Sequence, residues 1–107
     1  GTARVLPEIA AAVRDRIPVL VDGGVRSGQD AFKMLALGAR AVLVGRTIAI
    51  AAVGGDVPAV KYLLSRYAGE LRKAMHLCGC PTLEDIRRDL LLHIHAEHKD
   101  AGTEAQP

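Results

Sequence analysis

Two short stretches of this 107-residue chain combine residue types suited to holding an anion. The first is Asp22-Gly23-Gly24-Val25-Arg26-Ser27-Gly28, and the second is Gly45-Arg46. Glycine lets backbone N–H groups come close to a phosphate and adopts positive φ without strain. The guanidinium groups of Arg26 and Arg46 can fork onto phosphate oxygens. Asp22 could not sit beside a phosphate without cost, so its carboxylate is better matched to sugar-like hydroxyls, from which it accepts hydrogen bonds. Taken singly, either stretch reads more simply as a turn followed by a surface charge. Taken as a pair on successive strands, they describe a site for a phosphorylated, polyhydroxylated ligand.

The elements that must position them can be read from hydrophobic spacing. Each stretch ends a short apolar run, Val19-Leu20-Val21 in one case and Ala41-Val42-Leu43-Val44 in the other. Continuous β-branched runs suit strands buried on both faces of a parallel sheet. Between them, Gln29 to Leu37 carries Ala31, Phe32, Leu35 and Ala36 at helical spacing, with Gly38 where a C′ glycine belongs. The segment is one βαβ unit with a right-handed crossover. Both glycine stretches then fall at C-terminal strand ends, where parallel sheets bind ligands, and a following helix N-terminus adds favourable partial charge.

Three further helices are expected. Val5 to Arg16 presents Val5, Ile9, Ala12 and Val13 on one face. A long helix from about Pro58 to His76 presents Val60, Leu63, Leu64, Tyr67 and Leu71. A last one starts at Thr82 as N-cap, with Asp85 at N3 and a stripe of Leu83, Ile86, Leu90 and Ile94. Residues 1–98 form the structured part, and 99–107 a polar, flexible tail. Two parallel strands leave both edges open and cannot make a stable sheet domain. The expected fold class is therefore α/β: the C-terminal portion of a (β/α)8 TIM barrel, its last two strands with the following helices. A whole barrel takes about 250 residues.

Composition excludes several alternatives. Half of the residues are hydrophobic and the net charge is +2, which rules out low-complexity disorder. The basic residues are dispersed and aromatics are only 3%, so nothing is available to track a nucleic-acid backbone and stack its bases. The longest uncharged apolar run is Thr47 to Gly55, well short of the roughly 18 residues of a membrane span. A soluble protein is expected, with no membrane partner. Cys78 and Cys80 flank a single glycine, too close for a comfortable disulfide and lacking a second pair for zinc. Free thiols in a reducing cytoplasm are expected. His93 and His95 do not share a helix face, so no metal site is assigned to them.

The run from Val19 to Arg46, VLVDGGVRSGQDAFKMLALGARAVLVGR, resembles the C-terminal region of the FMN-dependent α-hydroxy-acid oxidases and dehydrogenases, which include glycolate oxidase, lactate oxidase and mandelate dehydrogenase. Met75, Leu77, Gly79, Leu83 and Ile86 are similar to that family's closing helices. Other barrels, notably IMP dehydrogenase, share the Asp-Gly-Gly-hydrophobic-Arg pattern, but a small residue usually follows the glycine at their second strand end. Arg46 favours the hydroxy-acid family.

The resemblance implies FMN as cofactor, with Asp22 on the ribityl hydroxyls. Gly23 and Gly24 would offer backbone to the phosphate with Arg26 beside it, and Gly45 and Arg46 would complete the clamp. It implies oxidation of a small 2-hydroxy acid to a 2-oxo acid by a longer protein, a homo-oligomer. The family's histidine base and carboxylate-gripping arginine lie in a His-Gly-x-Arg motif upstream of the helix that begins here near Val5, and the chain does not contain that motif. It also lacks the lysine that usually steadies the flavin. No catalytic residue is therefore assigned, and the chain by itself is expected to be inactive. The C-terminal Ala105-Gln106-Pro107 is not a peroxisomal address, which favours a cytoplasmic setting. Two alternatives stay open: an IMP dehydrogenase-like or other flavin or nucleotide barrel, and a non-catalytic phosphate- or flavin-binding half-barrel module completed by other copies of the chain.

Overall fold

The computed structural model describes residues 1–92. Along the chain run α1 (Thr2–Val13), β1 (Leu20–Val21), α2 (Gly28–Ala36), β2 (Ala41–Val42) and α3 (Arg46–Leu77), followed by single 3₁₀ turns at Leu83–Asp85 and Arg88–Leu90. β1 and β2 pair in parallel, Leu20 opposite Ala41 and Val21 opposite Val42. Flanking bonds lengthen the ladder: Arg40 N–H donates to the Val19 carbonyl at 2.7 Å and Leu43 N–H to that of Val21 at 2.8 Å. The βαβ unit read from the sequence is therefore present.

α2 holds the chain together because both of its faces are apolar. One side packs Met34 and Leu37 with Leu6, Val21, Val25 and Ala39 against the sheet. The other packs Phe32 and Ala36 with Cys80 and Ile86, bordered by Leu71, Ala74 and Met75 of α3. Ser27 caps the helix, its hydroxyl accepting from Asp30 N–H at 3.0 Å. Gly38 ends it at φ +116°, where a Cβ would also meet Ala10 of α1.

Several expectations require correction. α1 stops at Val13, with Arg14 in the left-handed region, because the Arg16 side chain donates to the Ala12 and Val13 carbonyls and satisfies the helix end. Its inward face is Leu6, Ala10 and Val13, not the Val5–Ile9 face; Val5 and Ile9 are exposed. The strands are covered on one side only, with Val21 buried and Leu20 60% exposed. Arg46 to Gly54 is helical as well: α3 consists of two segments, 46–54 and 57–77, broken at Gly55 and Asp56. The second segment is the anticipated Pro58–His76 helix, though Leu64 is exposed on it.

No α-helix follows α3 among the described residues. Asp85 does reach back to Thr82, its Oδ2 accepting from Thr82 N–H at 2.9 Å and from the Thr82 hydroxyl at 2.8 Å. The chain then turns extended at Ile86, whose side chain is drawn into the Phe32 cluster, and the helix never propagates. Those two bonds from Thr82, backbone first, hold the Asp85 carboxyl below its ordinary value. Cys78 is exposed and Cys80 buried, both free. Burial, then the neighbouring Cys78, pushes the Cys80 thiol up. Ile94, His93, His95, His98 and the 99–107 tail lie outside the described residues.

By length and composition α3 is apolar enough for a membrane span. The break divides that helix. Segment 46–54 rises only about 14 Å against a hydrocarbon core of about 30 Å. Segment 57–77 carries Lys61, Arg66, Glu70, Arg72 and Lys73.

Candidate functional site

Because β1 and β2 run in parallel, their C-terminal ends share one edge, and both glycine stretches open there onto a cavity of about 320 Å³. It is lined by Asp22, Gly23, Gly24, Val25, Arg26, Leu43, Gly45, Arg46 and Thr47. All six residues singled out in the sequence are thus brought together. Val25, Leu43 and Thr47 were not anticipated. The first two are apolar walls, residues of the quoted runs that were not assigned to the site. Thr47 could have been found only by recognising that a helix starts at Arg46.

The glycines do different work. Gly23 (φ +111°) and Gly24 (φ +75°) need the left-handed region, and a Cβ on Gly23 would come within 2.8 Å of Thr2 Oγ1. Gly45 has φ −112°, open to any residue, and a Cβ there would meet nothing within 4 Å. Its contribution is clearance on the cavity wall rather than conformation.

The two helix N-termini beside the cavity also differ. At α2 the protein supplies its own anions: Glu70 Oε1 accepts from Gly28 N–H at 3.0 Å, and Asp30 Oδ2 from Arg26 N–H at 3.0 Å. The expectation that α2 offers its positive end to a ligand is therefore corrected. At α3 the N-cap is Gly45, which makes no side-chain cap bond, so the first-turn N–H groups of Arg46 and Thr47 remain available. Neither Arg26 nor Arg46 pairs with a carboxylate among the described residues; the ion pairs present are Arg66–Glu70 and Arg87–Asp89. Two uncommitted guanidinium groups, an uncapped helix start and a glycine wall make a cradle for a dianion.

A family model described as FMN-dependent dehydrogenase matches residues 1–93. The chain belongs to that family. An L-lactate dehydrogenase of Caulobacter sp. (strain K31) is 54% identical over 93 residues, covering 85% of this chain and 24% of the relative. A peroxisomal (S)-2-hydroxyacid oxidase of Arabidopsis thaliana is 49% identical over 101 residues, covering 92% and 26%. A solved mandelate oxidase variant with a monooxide FMN adduct superposes with a TM-score of 0.78 at 48% identity, over 80% of this chain and 27% of its own. The chain spans about a quarter of the length of these relatives. FMN is the cofactor of the FMN-dependent dehydrogenases, and the donor set here fits it: cations and N–H groups for a phosphate, and one carboxylate, Asp22, for hydroxyls.

Proposed function

We propose that this chain is the C-terminal part of a (β/α)8 barrel enzyme that oxidises a small 2-hydroxy acid to a 2-oxo acid with FMN, and that it supplies the phosphate and ribityl end of the cofactor site. The observation that carries the reading is the convergence of both glycine–arginine junctions on one cavity. Arg26, Arg46 and the N–H groups around Gly23, Gly24 and Gly45 would hold the phosphate, and Asp22 would accept from the ribityl hydroxyls. When bound, FMN supplies the electron acceptor for oxidation of the hydroxy acid. In this reading the described residues bind and orient, and the base that takes up the substrate hydroxyl proton would come from elsewhere in the longer protein.

The exposed Leu20 and Leu43 beside the strands are consistent with a sheet continued by further strands of a barrel. Catalytic groups would then come from that remainder, and the longer protein would be a homo-oligomer. A placed general base contributes roughly 10²–10⁴-fold, so the 107-residue chain alone should not turn over. The test compares the chain with the longer protein that contains it, each supplied with FMN and with lactate, glycolate or mandelate under anaerobic conditions. Bleaching of the flavin absorbance by the longer protein alone is expected. Bleaching by the isolated chain above a boiled control, or by neither with FMN bound, would refute the assignment.

A further inference from the structure

Thr47 is the one hydroxyl-bearing residue on the cavity wall, and its hydroxyl is already fixed. Tyr67 OH donates to Thr47 Oγ1 at 2.7 Å in a part-buried contact. The two residues lie on opposite sides of the break at Gly55 and Asp56, so the contact exists only because the second segment of α3 folds back towards the first.

The position of Tyr67 is itself tightly set. A Cβ on Gly28 would collide with the Tyr67 carbonyl, Leu71 N and the Glu70 side chain, so α2 and this turn of α3 are in backbone contact. Glu70 locks the turn by accepting from Gly28 N–H with one oxygen and pairing Arg66 with the other at 3.5 Å. A phenol is a better proton donor than an aliphatic alcohol, and a hydroxyl that accepts one bond retains its own proton to give. In a helix, threonine commonly gives that proton to a carbonyl one turn back. Thr47 makes no such bond among the described residues. Its proton is left for the cavity, beside Arg46 and the uncapped start of α3.

We propose that Thr47 is a further phosphate-binding residue, donating its hydroxyl proton to a phosphate oxygen, and that Tyr67 is the positioning residue that aims it. The proposal rests on the phosphate reading of the cavity given above. It asks more than scaffolding of the pair: loss of the hydroxyl should act on ligands that carry the phosphate and spare those that do not.

The experiment titrates the apo form of the longer protein with FMN and with riboflavin, following flavin fluorescence, for wild type, Thr47→Val, Thr47→Ser, Tyr67→Phe and Arg46→Ala. Thr47→Val should weaken FMN roughly tenfold and leave riboflavin unchanged. Thr47→Ser, which keeps the hydroxyl, should stay within about twofold of wild type, and Tyr67→Phe should weaken FMN alone by roughly threefold. Tyr67→Phe removes a single oxygen and covers the case in which Thr47→Val fails to fold. Equal weakening of both flavins by Thr47→Val or Tyr67→Phe would make the pair a structural brace and overturn the proposal. So would an unchanged FMN affinity. If Arg46→Ala separates FMN from riboflavin while the Thr47 and Tyr67 variants do not, this proposal falls and the phosphate site stands. If Arg46→Ala does not separate them either, both fall.

Discussion

Replacing Arg46 by alanine removes a guanidinium that has no structural duty in the described fold. Arg46 is exposed, opens α3 and pairs with no carboxylate among the described residues, so its loss should leave the folded state intact. What is lost is the interaction with a ligand. A hydrogen bond to a charged group contributes roughly 1.5–3 kcal/mol, and each 1.4 kcal/mol is tenfold in affinity, so Arg46→Ala should weaken FMN about ten- to a hundredfold. Exposure places the effect towards the lower end, because water and salt screen the charge. Arg46→Lys should recover only part, since an ammonium keeps the charge but loses the planar fork. Riboflavin, which has no phosphate, should bind wild type and both variants alike. The assay is a calorimetric or fluorescence titration of the apo longer protein at low and high salt, with the FMN difference shrinking as salt rises. If Arg46→Ala weakens riboflavin as much as FMN, or leaves FMN untouched and raises the KM for the hydroxy acid instead, Arg46 does not hold phosphate.

Three other outcomes follow from the geometry. Gly28→Ala would drive a Cβ into Leu71 N and the Tyr67 carbonyl, backbone atoms that cannot swing aside, and should cost at least about 1–3 kcal/mol in urea unfolding; an unchanged midpoint would show that α2 and α3 do not meet there. With its thiol raised by burial, Cys80 should alkylate far more slowly at pH 8 than exposed Cys78, and replacing both by alanine in the longer protein should leave turnover within about threefold; equal labelling, or loss of flavin reduction with FMN still bound, contradicts this. The lowered Asp85 carboxyl stabilises the fold when ionised, so the stability lost in Thr82→Ala should be fully present above about pH 4 and disappear as pH falls through the lowered value, below 3.8. A difference that persists unchanged to pH 2 would rule out the bond from the Thr82 hydroxyl to the Asp85 carboxylate as its source.

The parts legible in the sequence were those with a local cause. The β-branched runs at Val19 and Ala41 and the glycine after α2 each specify one conformation, and the structure follows them. The grouping of Asp22 to Arg26 with Gly45 and Arg46 was legible too, because strand polarity alone decides which ends share an edge. The misses have a non-local cause. Past Arg46 and Thr47, segment 46–54 is a run of small and apolar residues and so shows no helical period, though Thr47, Ile48 and Ala51 do form its partly buried face. The stripe of Leu83, Ile86 and Leu90 has helical spacing, yet burial of Ile86 against Phe32 is worth more than continuing a helix in a surface segment. Folding back of α3 rests on Asp56 at φ +57° and ψ −151°, a positive-φ extended conformation that glycine favours and that an aspartate does not announce.

That fold-back gives the site its polarity. The carboxylates of Asp30 and Glu70 take up N–H groups at the start of α2, and Glu70 can reach only because the second segment of α3 returns alongside that helix. The same turn carries Tyr67 to Thr47 at the start of α3, where no side chain caps the helix. One helical turn therefore neutralises one positive helix end and leaves the other open, a few residues from both arginines. On the phosphate reading proposed above, a dianion in the cavity would find N–H groups at the start of α2 already bonded to carboxylates and donors still free at α3, which favours the Gly45–Arg46 side. On that same reading Asp22, at the β1 end, would be left to the uncharged hydroxyl-bearing part of the ligand, from which a carboxylate accepts hydrogen bonds without repulsion.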